Sequence, residues 1–138
     1  MENIAWLGQA LFSLVFIMSG IGHLTKTNDM AGYAAHKGIP SPKLAVQVSG
    51  LVLLVGGVLL LANTSAQLGA LLIAGFCIVT AVLMHQFWKE TDATAKMNET
   101  IAFFKDLSLA GAALIIYAVL HAGASFGPHV GTLLAFKK

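Results

Sequence analysis

The stretch LAVQVSGLVLLVGGVLLLANTSAQLGALLIAGFCIVTAVLMHQFW (residues 44–88) runs for 45 residues without an Asp, Glu, Lys or Arg. A soluble domain cannot solvate a surface built from such a run, whereas hydrocarbon demands one. Its only run of three polar residues is Asn63-Thr64-Ser65. An α-helix needs about 20 residues to cross the ~30 Å core of a bilayer, so the stretch reads as two spans, 44–62 and 67–88, joined by a tight turn. That turn fits a glycosylation sequon formally, but its shortness beside the membrane argues against modification.

The flanking sequence repeats the pattern. Residues 4–24 and 101–121 are apolar runs of similar length, and the whole chain is 57% hydrophobic and only 10% charged, with mean hydropathy +0.81. Backbone polar groups find no water in hydrocarbon, so only helices or a closed barrel can span it. Period-2 alternation is missing. The expected fold is therefore all-α: one integral membrane domain over residues 1–138, a four-helix transmembrane bundle. The first run has no basic leader (Glu2 is its only charge) and exceeds the hydrophobic region of a signal peptide, so it reads as a retained helix.

Eight Lys, no Arg and six acids leave a net charge of +2, with no basic stripe for nucleic acid. The single cysteine, Cys77, excludes an internal disulfide and a CxxC pair, and is expected to be a buried, inert thiol. In loop one, Asn28 can cap a short helix over 29–37, stopped by Gly38 with Pro40 and Pro42 beyond. Met30, Tyr33, Ala34 and Lys37 share a face, which predicts an interfacial helix lying on the membrane. Loop three, KETDATAKMNET (89–100), reads as polar and solvated. Past His121, Gly123, Gly127 and Pro128 end the last helix, and 130–136 is too short to span. Gly56, Gly57, Gly69, Gly75 and Gly111 are expected to permit close helix packing. Lys26, Lys37, Lys43, Lys89 and Lys96 lie on the loop side against Lys137 and Lys138 at the other, which predicts a multi-pass cell-membrane protein, bacterial inner membrane, with loops one and three cytoplasmic.

The polar residues inside the spans collect on that loop side. Lys105 and Asp106 lie four and five residues into the last span, about 6–7.5 Å deep at 1.5 Å per residue. His85 sits at similar depth, His23 closes the first span with Ser19 one turn below, and Gln47 and Ser49 enter the second. The far half carries mainly Gln9, Tyr117 and His121. Taken singly, each is an ordinary interface residue: Lys105 can snorkel, Asp106 gains from a helix N-terminus, and Phe87 and Trp88 can anchor. As a set they say more. Neighbouring helix positions differ by about 100°, so Lys105 and Asp106 cannot both face water. The expectation is Asp106 inward beside His85, with Lys105 snorkelling. His85, Asp106 and Lys105 are then the candidate proton-transfer residues, and His23, Gln47 and Ser19 the candidate binding residues. Two unlinked histidines could hold haem, but HxxxH, CxxCH and ExxH spacings are missing, so haem is the weaker cofactor reading and no metal site is assigned.

The segments FIMSGIGHL (16–24), HKGIP (36–40), VGGVLLL (55–61), MHQFW (84–88) and FFKDLSLAGAAL (103–114), in this order and spacing, resemble the DoxX family of small four-helix membrane proteins. The likeness covers most of the chain. Departures are Leu53-Leu54 where the family often has a glutamate before its paired glycines, Thr64-Ser65 for a Thr-Arg pair, Lys105-Asp106 for Lys-Asn, and Gly127-Pro128-His129 for Gly-Pro-Gly. The resemblance implies membrane redox work: a quinone-linked subunit, associated with a soluble redox or sulfur-handling partner. A bundle this small also often assembles further, as a homo-oligomer. The other reading the resemblance leaves open is a non-enzymatic scaffold, in which Lys105 and Asp106 form an interhelix ion pair and loops one and three dock a soluble protein. A transporter ranks last, for want of internal repeats or broken helices.

Overall fold

The computed structural model describes residues 2–126, so the expectations for Gly127, Pro128 and 130–136 lie outside it. The elements are α1 (Glu2–Thr25), α2 (Thr27–His36), α3 (Pro42–Leu61), α4 (Ala66–Met84), a 3₁₀ turn (Phe87–Lys89) and α5 (Ala93–His121). No strand occurs among the described residues. Among the described residues four helical segments are long and apolar enough to cross a membrane: Ile4–Thr25, Pro42–Leu61, Ala66–Lys89 and Ala93–His121. The all-α four-span architecture is as the hydropathy dictates.

Boundaries differ from expectation where backbone chemistry, rather than hydropathy, sets them. The loop-one helix starts at Thr27, with Lys26 rather than Asn28 at its N-cap. It ends at His36, one residue short of the expected end, and Gly38 is the stop as expected: its φ of 80° lets the Gly38 and Ile39 amides turn back to the Ala35 and Ala34 carbonyls. The last helix begins at Ala93, eight residues before the apolar run, because Asp92 Oδ2 accepts the Ala95 amide at 2.8 Å and caps it. Much of loop three is therefore helix. Conversely, α4 stops at Met84, and His85 leaves the helical conformation (φ −106°, ψ 56°).

Helices α1, α3, α4 and α5 pack as successive neighbours, and α2 lies on α3. Small residues set the spacing. A Cβ on Gly20 would lie 2.7 Å from the Leu54 amide nitrogen, and one on Gly57 2.7 Å from Ile17 Cγ1, so α1 and α3 approach almost backbone to backbone. At the α3–α4 crossing a Cβ on Gly69 would meet the Gly56 carbonyl at 2.6 Å. Gly75 and Gly111 correct the expectation: neither has an atom within 4 Å of where a Cβ would stand. The core comprises Leu53, Leu60, Ile73 and the buried Cys77, with Ala70, Ala74, Ala110 and Ala113 between α4 and α5. In the half nearer the termini, Gln9 Nε2 donates to the Leu60 carbonyl, tying α1 to the end of α3.

Candidate functional site

At the loop end the bundle exchanges apolar packing for a connected polar cluster. Asp106 is buried and Lys105 is exposed, its side chain 61% accessible, so the carboxylate turns inward and the ammonium outward. His85, released from helical geometry at the end of α4, bridges two carboxylates. Its Nδ1 lies 2.8 Å from Glu99 Oε2, and its Nε2 lies 3.5 Å from Asp106 Oδ2. Glu99 and Asp106 are seven residues apart on α5, about two turns, which sets them on one helix face with His85 between.

Glu99 is also the hub of a second set of contacts. Its Oε1 accepts from the Tyr33 hydroxyl at 2.7 Å and from Lys37 Nζ at 2.9 Å, and Lys37 donates to Glu90 Oε1 at 2.9 Å. Helix α2 is thereby latched to α5 and to the segment before it. Burial opposes the charged form of Lys37, but hydrogen bonds to Glu99 and Glu90 outweigh it and hold the ammonium above the ordinary lysine range. Burial, reinforced by donation to Glu99, raises the Tyr33 phenol to about 12.

Beneath α2 the bundle opens. A cavity of about 550 Å³ is bounded by α2, α3 and α4, with His23, Tyr33, Ser49, Phe76, Thr80 and His85 among its lining. Val48, Val79 and Leu83 line it and are also exposed on the bundle's apolar flank, so it opens sideways toward hydrocarbon. Gly75 lines it too, which is why that glycine faces open space. On its wall, Ser49 Oγ lies 2.8 Å from His23 Nδ1 and donates its single proton to the Val46 carbonyl at 2.9 Å. In the tautomer that donates Nδ1–H to Ser49, Nε2 of His23 is the acceptor nitrogen. Among the described residues no group of three His, Cys, Asp or Glu side chains is arranged to hold a metal ion.

The sequence-derived candidates thus separate. His85 and Asp106 meet as expected, and His23 joins the cavity wall through Ser49. Among the described residues Lys105 pairs with its neighbour Asp106, Nζ to Oδ1 3.5 Å, on the same helix, which corrects the interhelix pair expected of the scaffold reading. Gln47 is exposed and lies outside the cavity lining, and Ser19 is half-buried one turn below His23 but outside it as well. The α2 face of Met30, Tyr33 and Ala34 covers the cavity. Glu99, Glu90 and the buried role of Lys37 went unread, because 89–100 looked like a solvated loop. The readable signal was Asp92 followed by good helix formers, which carries α5 back to Ala93 and sets Glu99 seven residues before Asp106.

The family model for DoxX matches residues 6–86. The chain is 29% identical over 103 residues to "Inner membrane protein YphA" of Escherichia coli (strain K12), an alignment covering 75% of this chain and 73% of that protein. No solved structure matches it significantly. The chain belongs to the DoxX family and is a multi-pass membrane protein. The matched region ends just after His85, so Glu99 and Asp106 lie on the helix beyond it.

Proposed function

We propose that this chain is the quinone-binding membrane subunit of a redox assembly, taking a quinone or quinol ring into the cavity beneath α2. The observation that carries the reading is that cavity: about 550 Å³, walled mostly by apolar side chains, open sideways to lipid, with His23, Ser49 and His85 at its polar end. A lipid-soluble ring with oxygen substituents matches each feature. Its tail follows Val48, Val79 and Leu83 into the bilayer. His23 Nε2 accepts from a ring hydroxyl, and His85, held between Glu99 and Asp106, exchanges a proton with the bound ring. Reducing a quinone to a quinol takes two electrons and two protons. On this reading a soluble redox or sulfur-handling partner supplies the electrons, and the chain supplies the pocket and proton exchange. Haem fits less well, because both ring nitrogens of His85 face carboxylates.

The Lys distribution supports a placement in the bacterial inner membrane with loops one and three cytoplasmic, and the printed name of the Escherichia coli relative agrees with that membrane. The test is extraction of the protein purified in native lipid, followed by mass spectrometry of the bound lipids. The expected result is quinone at near-stoichiometric level, lost on Gly75→Leu and reduced on His23→Ala. Wild-type protein free of quinone, alone and with its partner, would sink the proposal and leave the docking scaffold as the better reading.

A further inference from the structure

Glu99 belongs to no candidate set drawn from the sequence, yet it touches more of the polar cluster than any other side chain. One carboxylate oxygen receives Tyr33 and Lys37, and the other faces His85 Nδ1 at 2.8 Å. We propose that Glu99 is a proton-relay residue, which passes protons between water at the loop face and His85 on the cavity wall. This inference rests on the ligand site described above, and its test does not require the ligand.

Three observations carry it. Among the carboxylates, side-chain exposure falls from Glu90 at 27% to Glu99 at 14% and Asp106 at 9%, with His85 at 17% beside Glu99, so Glu99 stands between a wetter and a drier carboxylate. An imidazole with an oxygen at each nitrogen can accept a proton on one side and release one on the other. Finally, Tyr33 and Lys37 fill the second oxygen of Glu99 and hold the carboxylate in place, so its free side always meets His85.

Each step moves one proton and no electrons. Hydronium at the loop face protonates the Glu99 carboxylate and departs as water; the carboxyl passes that proton to an unprotonated Nδ1 of His85. The ring then releases its Nε2 proton to Asp106 Oδ2, or to a ring oxygen bound in the cavity. Return of the ring to its first tautomer completes the cycle. Lys105 lies beside Asp106 and compensates its charge from the exposed side.

The experiment is nuclear magnetic resonance of the full chain in lipid bicelles, with isotope-labelled histidine and the His85 signal assigned by its loss in His85→Gln. The rate at which the His85 ring proton exchanges with water is the readout. Glu99→Gln keeps the side-chain shape and is expected to slow that exchange on the order of 100-fold, the loss typical of a positioned acid–base group. A purely structural role has the opposite sign, since loosening the cluster admits water and speeds exchange. Unchanged or faster exchange in Glu99→Gln therefore overturns the relay. Should that variant not fold, Glu99→Asp withdraws the carboxylate by one methylene; slower exchange there supports the relay and an unchanged rate overturns it. Because no quinone is added, a native-lipid preparation free of quinone would remove the ligand reading while the exchange rate still decides the relay.

Discussion

Gly69 and Gly75 stand six residues apart on α4 and do opposite things. At Gly69 the α3 backbone is so close that a Cβ would strike the Gly56 carbonyl; at Gly75 nothing lies within 4 Å, and the residue lines the cavity. Between α3 and α4 the bundle is thus closed by backbone contact near the termini and held apart around the cavity toward the loops. Helices α1 and α3 stay close at the loop end through Gly20 and Gly50. The comparison teaches that one sequence feature, a glycine in an apolar helix, serves either closeness or space, depending on the crossing geometry around it.

The largest effect that would break this contrast is Gly69→Leu. Its side chain has no room, and a loss of at least about 3 kcal/mol is expected, beyond ordinary overpacking. Helical signal and monodispersity in mild detergent would both fall; a well-folded variant would show that the crossing is looser than described. Next comes Lys37→Met, which leaves Glu90 and Glu99 without their shared cation. About 2 kcal/mol is expected, under the 3–5 of a fully buried pair, because Glu90 remains partly wet. Denaturant unfolding monitored by circular dichroism would register it.

Alkali tests the same latch from another direction. The Tyr33 phenol is raised from its ordinary 10 to about 12, and Lys37 is raised as well. Both groups titrate higher when folded, so their contribution is complete below the unfolded values and lost as pH rises through the folded ones. Thermal stability should hold to about pH 10 and decline toward pH 12, with the near-ultraviolet phenolate signal of Tyr33 appearing only there. Tyr33→Phe should cost about 1 kcal/mol, as for one partly exposed hydrogen bond, and should remove that late signal. An early phenolate in the wild type would mean that the Tyr33–Glu99 contact is not kept in solution.

The smallest stability effects belong to the open side. Gly75→Leu and Lys105→Ala should each stay within about 0.5 kcal/mol of wild type, since one faces empty space and the other faces water. The two differ in consequence: Gly75→Leu fills the cavity and should abolish ligand retention, and Lys105→Ala should not. Equal retention by both variants would detach the cavity from the function proposed for it.

Much of this molecule was legible in its residues. The charge-free 45-residue run, broken at Asn63-Thr64-Ser65, forces a helical hairpin, because hydrocarbon leaves the backbone no other partners. The inward Asp106 and its partner His85 also followed from local reasoning, since adjacent helix positions diverge and a buried carboxylate needs a partner. Glu99 did not follow. Its polar neighbourhood resembles solvated loop, and only the Asp92 cap, which outweighs hydropathy at that point, draws it into α5 and under α2. Gln47 illustrates the converse: it is exposed on α3 while its neighbours Val46 and Val48 line the cavity.

Composition and periodicity by themselves determined the solvent, the number of spans and the end of the bundle where polar groups gather. Those follow from transfer free energies, which belong to each residue separately. Which glycines close the helices, which carboxylate meets which imidazole nitrogen, and the existence of a cavity were decided only by the tertiary structure. Such features depend on the crossing of α3 and α4 and on the latch of α2 to Glu99, contacts between residues far apart in the chain that no local pattern encodes.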